Sequence, residues 1–146
     1  MKHFLCLLAF LPWANLAAAD CNPTLATQLP ALGRDYREMR EVSLRGDPEW
    51  DARMAKAMDQ LRQCLDAEHA GKKRVLELLG KPDRVAKPNS MLYRMAVSSL
   101  KASETPPDLE RSREALIYQW RGLHDFLFFL SDGKRILVSA WWAALD

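Results

Sequence analysis

The chain has 146 residues, 49% hydrophobic and 27% charged, enough for the core of one ordinary domain and too few for several. Its 21 basic and 19 acidic side chains leave a formal net charge of +2, which removes the electrostatic case for a nucleic-acid partner. Beyond the first residues, no segment approaches the roughly 20 apolar residues of a membrane-spanning helix, so no integral span is expected.

The first 19 residues read as a secretory signal peptide. Lys2 and His3 precede an apolar run from Phe4 to Leu11, and Ala17 and Ala19 supply the small side chains that signal peptidase needs three and one residues before its cut. Cleavage after Ala19 predicts a periplasmic chain, residues 20–146, that is not lipid-anchored, because Asp20 stands where a lipidated cysteine needs a small neighbour. Cys6 leaves with the leader. Cys21 and Cys64, 43 positions apart, are then the remaining thiols, and an even pair in an oxidising compartment predicts a disulfide. On the chain-entropy model that bridge restricts the unfolded state by roughly 4 kcal/mol. No third and fourth ligand stand at zinc-like spacing, so neither a metal nor another cofactor is expected.

Leu25, Leu29, Leu32, Tyr36 and Met39 repeat at spacings of four and three, the stripe of a helix, which is expected from about Pro30 to Ser43 with a turn before it. Asp47-Pro48-Glu49 is a strong helix start, and Trp50, Met54, Met58, Leu61 and Leu65 hold one face through about Asp66. Lys72 to Leu79 predicts a shorter helix stopped by Gly80 and Pro82. Met91 to Val97 suits a strand, and Ala102 to Arg113, with Pro106-Pro107 and five charged residues, reads as a solvated loop. Residues 115–121, 124–130 and 134–142 are rich in β-branched and aromatic side chains and are separated by Gly122 and by Asp132-Gly133, a strong turn signal. The expectation is one α+β domain: a helical part over 23–80, a loop-rich insertion over 84–114, and a three-stranded antiparallel meander over 115–142 with the helices on one face.

The strands carry more apolar surface than one covered face requires. His124, Phe126, Phe128 and Leu130 alternate with Asp125, Leu127, Phe129 and Ser131, so both faces hold large hydrophobes. The surplus predicts either a cover or a recognition surface, for which Trp120, Arg121, His124, Phe126, Trp141 and Trp142 are the candidate protein-binding residues; it also permits homo-oligomerisation through the sheet. His124-Asp125 is the one cluster with a chemical look, and it supports an alternative reading as a small envelope hydrolase. Adjacent strand residues point to opposite faces, however, and no Gly-x-Ser-x-Gly, His-Glu-x-x-His or glycine-rich phosphate loop occurs. No catalytic residue is therefore assigned.

Val75-Leu76-Glu77-Leu78-Leu79-Gly80-Lys81-Pro82-Asp83, followed after an insertion by Tyr118-Gln119-Trp120, Phe126 to Phe129 and Asp132-Gly133, resembles the small lipoprotein domain of the outer-membrane barrel-assembly machinery, the BamE or SmpA/OmlA-like family. The resemblance covers about residues 70–142. It implies helices followed by a three-stranded sheet, implies no catalytic residues, and points to protein binding; the same unit is also reused by unrelated secreted inhibitors. The chain departs from the family in placing Asp20 before Cys21, and in its long second helix and its Pro106-Pro107 loop. Together these readings predict a non-catalytic protein-binding module of the periplasm, serving envelope maintenance or acting as an inhibitor or immunity protein against a secreted enzyme or toxin.

Overall fold

A computed structural model describes residues 21–42, 46–101 and 105–143. The signal peptide, Ser43 and Ala102 to Glu104 lie outside the described residues. Helix α1 (Pro23–Val42) is followed by α2 (Pro48–Ala67), α3 (Lys72–Leu79), strand β1 (Arg84–Ala86), α4 (Met91–Ser98), a 3-10 turn (Leu109–Arg111) and strands β2 (Glu114–Gln119), β3 (Asp125–Ser131) and β4 (Ile136–Ala143). The architecture is α+β. The sheet has four strands rather than three, in the order β1-β2-β3-β4, every pair antiparallel.

The helices form where the sequence marks them. Asp47 caps α2 by accepting a hydrogen bond from the Trp50 N–H at 2.8 Å, with Pro48 at the first helical position. Gly80 ends α3 with φ +75, a conformation that Cβ-bearing residues avoid, and returns its N–H to the Leu76 carbonyl. In α1 the helix starts at Pro23, earlier than expected, and runs through Pro30, whose missing N–H falls on an exposed position. Leu29 and Tyr36 are fully buried beside it, so tertiary packing of the stripe overrides the break. The Sγ atoms of Cys21 and Cys64 are in bonding contact with their Cα atoms 4.6 Å apart, which ties the start of α1 to the last turns of α2.

Two further differences share one cause. Met91 to Val97 is helix α4, not a strand: Ser90 caps it by accepting from the Tyr93 N–H, and its Met, Leu and Ala residues favour a helix. The first residues of the expected loop-rich insertion pair Arg84, Val85 and Ala86 with Ile117, Leu116 and Ala115 as β1. Both elements serve the second face of the sheet. Helices α1 to α3 cover Leu116, Tyr118, Leu127 and Phe129 on one face, whereas α4 packs its Leu92, Tyr93 and Met95, with Leu109 of the 3-10 turn, against Ile117, Phe126, Phe128 and Leu130 on the other. Every residue of β3 is buried. Each fully buried large apolar side chain contributes roughly 2 kcal/mol of transfer free energy, so two covered faces account for the hydrophobic surplus that one covered face leaves unexplained.

Gly33 sets how closely α1 approaches α3, because a Cβ built there would lie 2.9 Å from the Leu78 carbonyl oxygen. Replacing an interior helical glycine with alanine gains up to about 1 kcal/mol in propensity. Here the obstacle is backbone, which cannot rotate aside, and overpacking costs about 1–3 kcal/mol. Gly33→Ala should lower unfolding stability by about 1 kcal/mol net in urea denaturation.

Candidate functional site

An open cleft with a cavity volume of about 520 Å³ lies where α1, α2 and the connection from α3 to β1 meet the end of β2. Arg37, Arg40 and Glu41 line it from α1, Trp50 and Met54 from α2, Gly80 to Asp83 from the connection, and Gln119 and Trp120 from β2 and the residue after it. Each wall follows from local sequence: the i, i+3 and i, i+4 spacing of Arg37, Arg40 and Glu41 sets them along one side of α1, and Trp50 and Met54 begin the apolar stripe of α2.

Arg40 organises this region. One guanidinium nitrogen donates to the Leu79 carbonyl at 3.1 Å and the Lys81 carbonyl at 2.9 Å, and the other donates to Asp83 Oδ1 at 2.8 Å. The first two acceptors are backbone oxygens at the end of α3, where carbonyls lack helical donors and the helix dipole is negative. Arg37 does the same one turn earlier, donating to the carbonyls of Glu77 and Leu78. The Arg40 guanidinium carbon also lies 5.7 Å from the Tyr36 ring centre and 5.6 Å from that of Tyr118. Burial alone would depress the Arg40 pKa, but Tyr36, Asp83 and the hydrogen bond to Asp83 outweigh it, and the pKa is raised. Asp83 Oδ2 in turn accepts the Gln119 N–H at 2.7 Å, so one ion pair joins α1, the α3 terminus and β2. The Tyr118 hydroxyl donates to the Gly80 carbonyl at 2.9 Å. Desolvation pushes the Tyr36 and Tyr118 phenols well up, and the buried Tyr36 hydroxyl has no protein partner among the described residues.

At the cleft mouth Trp120 is half-buried, its Nε1–H donating to the Asp51 carbonyl at 2.9 Å. Arg121 lies over its ring, guanidinium carbon 4.5 Å from the centre, and extends to Asp125 Oδ2 at 2.7 Å. Trp141 meets Trp120 edge to face at 6.1 Å and donates to Asp59 at 3.3 Å. The structure therefore brings Trp120, Arg121 and Trp141 together at one end of the sheet. It separates the other three candidates from them. Phe126 is fully buried in the opposite core and is no surface residue; Trp142 stacks on it at 5.1 Å on the α4 face; and His124 is exposed at the tip of the β2–β3 turn. The expected single recognition face is divided because successive strand residues alternate sides and both sides are covered. Asp125, buried at the start of β3, is engaged by Arg121, and no hydrogen bond joins it to His124.

Arg37, Arg40 and Glu41 are cleft residues that the sequence alone does not mark, and Lys81 and Asp83 are marked there only as part of the segment that follows α3. Gly80-Lys81-Pro82-Asp83 is visible there as a helix stop, but nothing in one sequence links Asp83 to an arginine 43 positions earlier. Comparison of the chain with protein-family models, curated proteins and solved structures finds no match.

Removing the Arg40 side chain strands Asp83 and two backbone carbonyls in a partly buried site, where breaking one partner of a pair costs about 3 kcal/mol. Arg40→Ala should lose stability on that scale in denaturant unfolding. Arg40→Lys should recover less than half of it, since one ammonium cannot reproduce the planar fork that spans three acceptors.

Proposed function

We propose that the chain is an exported, periplasmic protein-binding module without catalytic activity, acting in envelope maintenance or as an inhibitor or immunity protein against a secreted enzyme or toxin. Its contact surface is the mouth of the cleft, formed by Trp120 and Arg121 with Lys81. The observation that carries this reading is the Trp120–Arg121 stack. A half-buried indole, held by a hydrogen bond to α2 and backed by a guanidinium fixed on Asp125, is preorganised, and Trp and Arg are the side chains that most often dominate binding energy at protein interfaces. Trp50 and Met54 continue the apolar floor inward, and the exposed Lys81 adds a cation at the edge. The resemblance to the BamE-like family agrees with a binding role, and the Gly80-Lys81-Pro82-Asp83 part of the segment that carries it lines one wall of this cleft.

The same reading takes the Cys21–Cys64 contact as a disulfide formed after export. Intact mass spectrometry of the protein from the envelope should give a chain beginning at Asp20 without lipid, gaining the mass of two hydrogens on reduction. A lipidated Cys21, or no change with reductant, would contradict it.

The binding role is tested by cross-linked capture of the tagged protein from its native envelope, beside Trp120→Ala and Lys81→Glu. One partner recovered in stoichiometric yield should fall at least tenfold with either change, as expected for loss of about 1.4 kcal/mol or more at a contact centre. Lys81 is exposed, so Lys81→Glu keeps the test valid if Trp120→Ala unfolds. Undiminished capture by both variants would remove the cleft mouth as the contact surface.

A further inference from the structure

Two hollows of about 370 Å³ each border α3 and share Lys72 and Leu76. The first lies between α3 and β1, over Leu76, Pro82, Val85 and Leu116, with Lys81 at its edge. The second reaches the β3–β4 turn at Gly133, where Lys73 and Lys134 stand beside it. The floor is apolar and mostly recessed: Leu116 and Pro82 are buried and Leu76 is half-buried, whereas Val85, on a strand, is 49% exposed and offers an uncovered aliphatic surface. Every ionisable side chain that lines either hollow is a lysine. The carboxylates of adjoining segments are engaged, Glu114 with Lys72 and Lys87, and Glu77 with Lys73 and Arg74. Lys81 and Lys134 form no ion pair among the described residues, and Lys73, its side chain 92% exposed, holds Glu77 only at 3.9 Å. Lys134 sits at the start of α3, its carbonyl accepting the Lys72 N–H, and Lys81 just past the other end. Uncommitted charges therefore stand at both ends of a helix about 12 Å long.

We propose that the two hollows act as one groove that docks an extended acidic segment of a partner protein, with carboxylates at its ends and an aliphatic side chain between them. Charge complementarity selects the acid, because the groove presents cations at each end and no carboxylate of its own. An extended chain advances about 3.3 Å per residue, so four or five residues span α3. The terminal carboxylates then meet Lys81 at one end and Lys73 and Lys134 at the other, and the central side chain rests on Leu76 and Val85. A bilayer fits this surface less well. Membrane-binding faces present protruding apolar or aromatic side chains, whereas most of this floor is recessed and no aromatic ring lines either hollow. The proposal rests on the protein-binding reading but uses a second surface, which meets the Trp120 cleft at Lys81 and Pro82, residues that line both.

Amide NMR of the purified protein, titrated with the blocked peptide Glu-Glu-Leu-Glu-Glu, tests the groove. Saturable shifts are expected at Leu76, Val85 and Gly133. Lys73→Glu combined with Lys134→Glu should weaken binding about tenfold, and both side chains are exposed, so the fold survives the change. Val85→Asp should weaken it about as much by removing the apolar seat, as should serine in place of the peptide's leucine. No saturable shift at millimolar peptide overturns the proposal, and so does binding that ignores the charge reversal or the serine exchange. Shifts confined to Trp120 and Arg121 would place the peptide at the cleft mouth and overturn the groove alone. Neither residue lines the groove, so the failure of one surface is read separately from the failure of the other. Cosedimentation with phosphatidylglycerol vesicles, lost on the same charge reversal while the peptide stays unbound, would assign the lysines to a membrane and overturn peptide docking.

Discussion

Arg40 is the point at which the helical layer and the sheet are made to agree. A helix that ends in the protein leaves carbonyl oxygens without donors, and α3 ends against α1 with its last carbonyls inside the domain. Arg37 and Arg40 reach those oxygens from α1, while Asp83, just past the helix, fixes the Arg40 fork from the other side. Because Asp83 also takes the Gln119 N–H, the position of β2 relative to α1 is set by hydrogen-bond geometry rather than by apolar contact alone. The cleft lies between this polar junction, with the α3–β1 connection it fixes, and the N-terminal turns of α2.

Around that junction the domain is held by two separate apolar clusters. The larger one joins the α1–α2 hairpin and α3 to one face of the sheet; the smaller one depends on an eight-residue helix and a 3-10 turn. A helix as short as α4 has little stability of its own, so its formation and the burial of Phe126, Phe128 and Leu130 are coupled. Ionic contacts at the sheet margin serve the same purpose: buried Glu114 is met by Lys72 and Lys87, and buried Asp125 by Arg121, so that neither of these carboxylates enters the core alone.

Where one element's periodicity decided its structure, the sequence was readable: the Trp50 to Leu65 stripe, the Asp47-Pro48 start and the Gly80 stop locate α2 and α3 to within a residue or two. Strands β2 to β4 were readable from their composition and the Asp132-Gly133 turn. Met91 to Ser98 was not, although Ser90 carried a cap signal, because Tyr93 and Val97 suit either state and the deciding factor is the sheet face beneath them. Three-residue β1 has no periodicity to detect; only its partner β2 defines it. The candidate site was half legible for the same reason. Trp120 and Arg121 announce themselves by type, whereas Arg40 acquires its role from Asp83, an acceptor on a distant segment, and Phe126 loses its own to a cover supplied by α4.

The tryptophan arrangement has an optical consequence. Trp120 and Trp141 sit edge to face, Trp50 lines the same cleft as Trp120, and Trp142 stacks on Phe126 at the same end of the sheet, so the four indoles of the described residues gather at one pole of the molecule. Rings at 6.1 Å couple their excited states, and the guanidinium over Trp120 adds a fixed field. The emission of the whole domain is therefore a local signal. It reports events at the cleft and along the end of β4, and is nearly blind to the opposite pole around Asp132 and Gly133. The protein carries an intrinsic fluorophore cluster beside the cleft, with no label required.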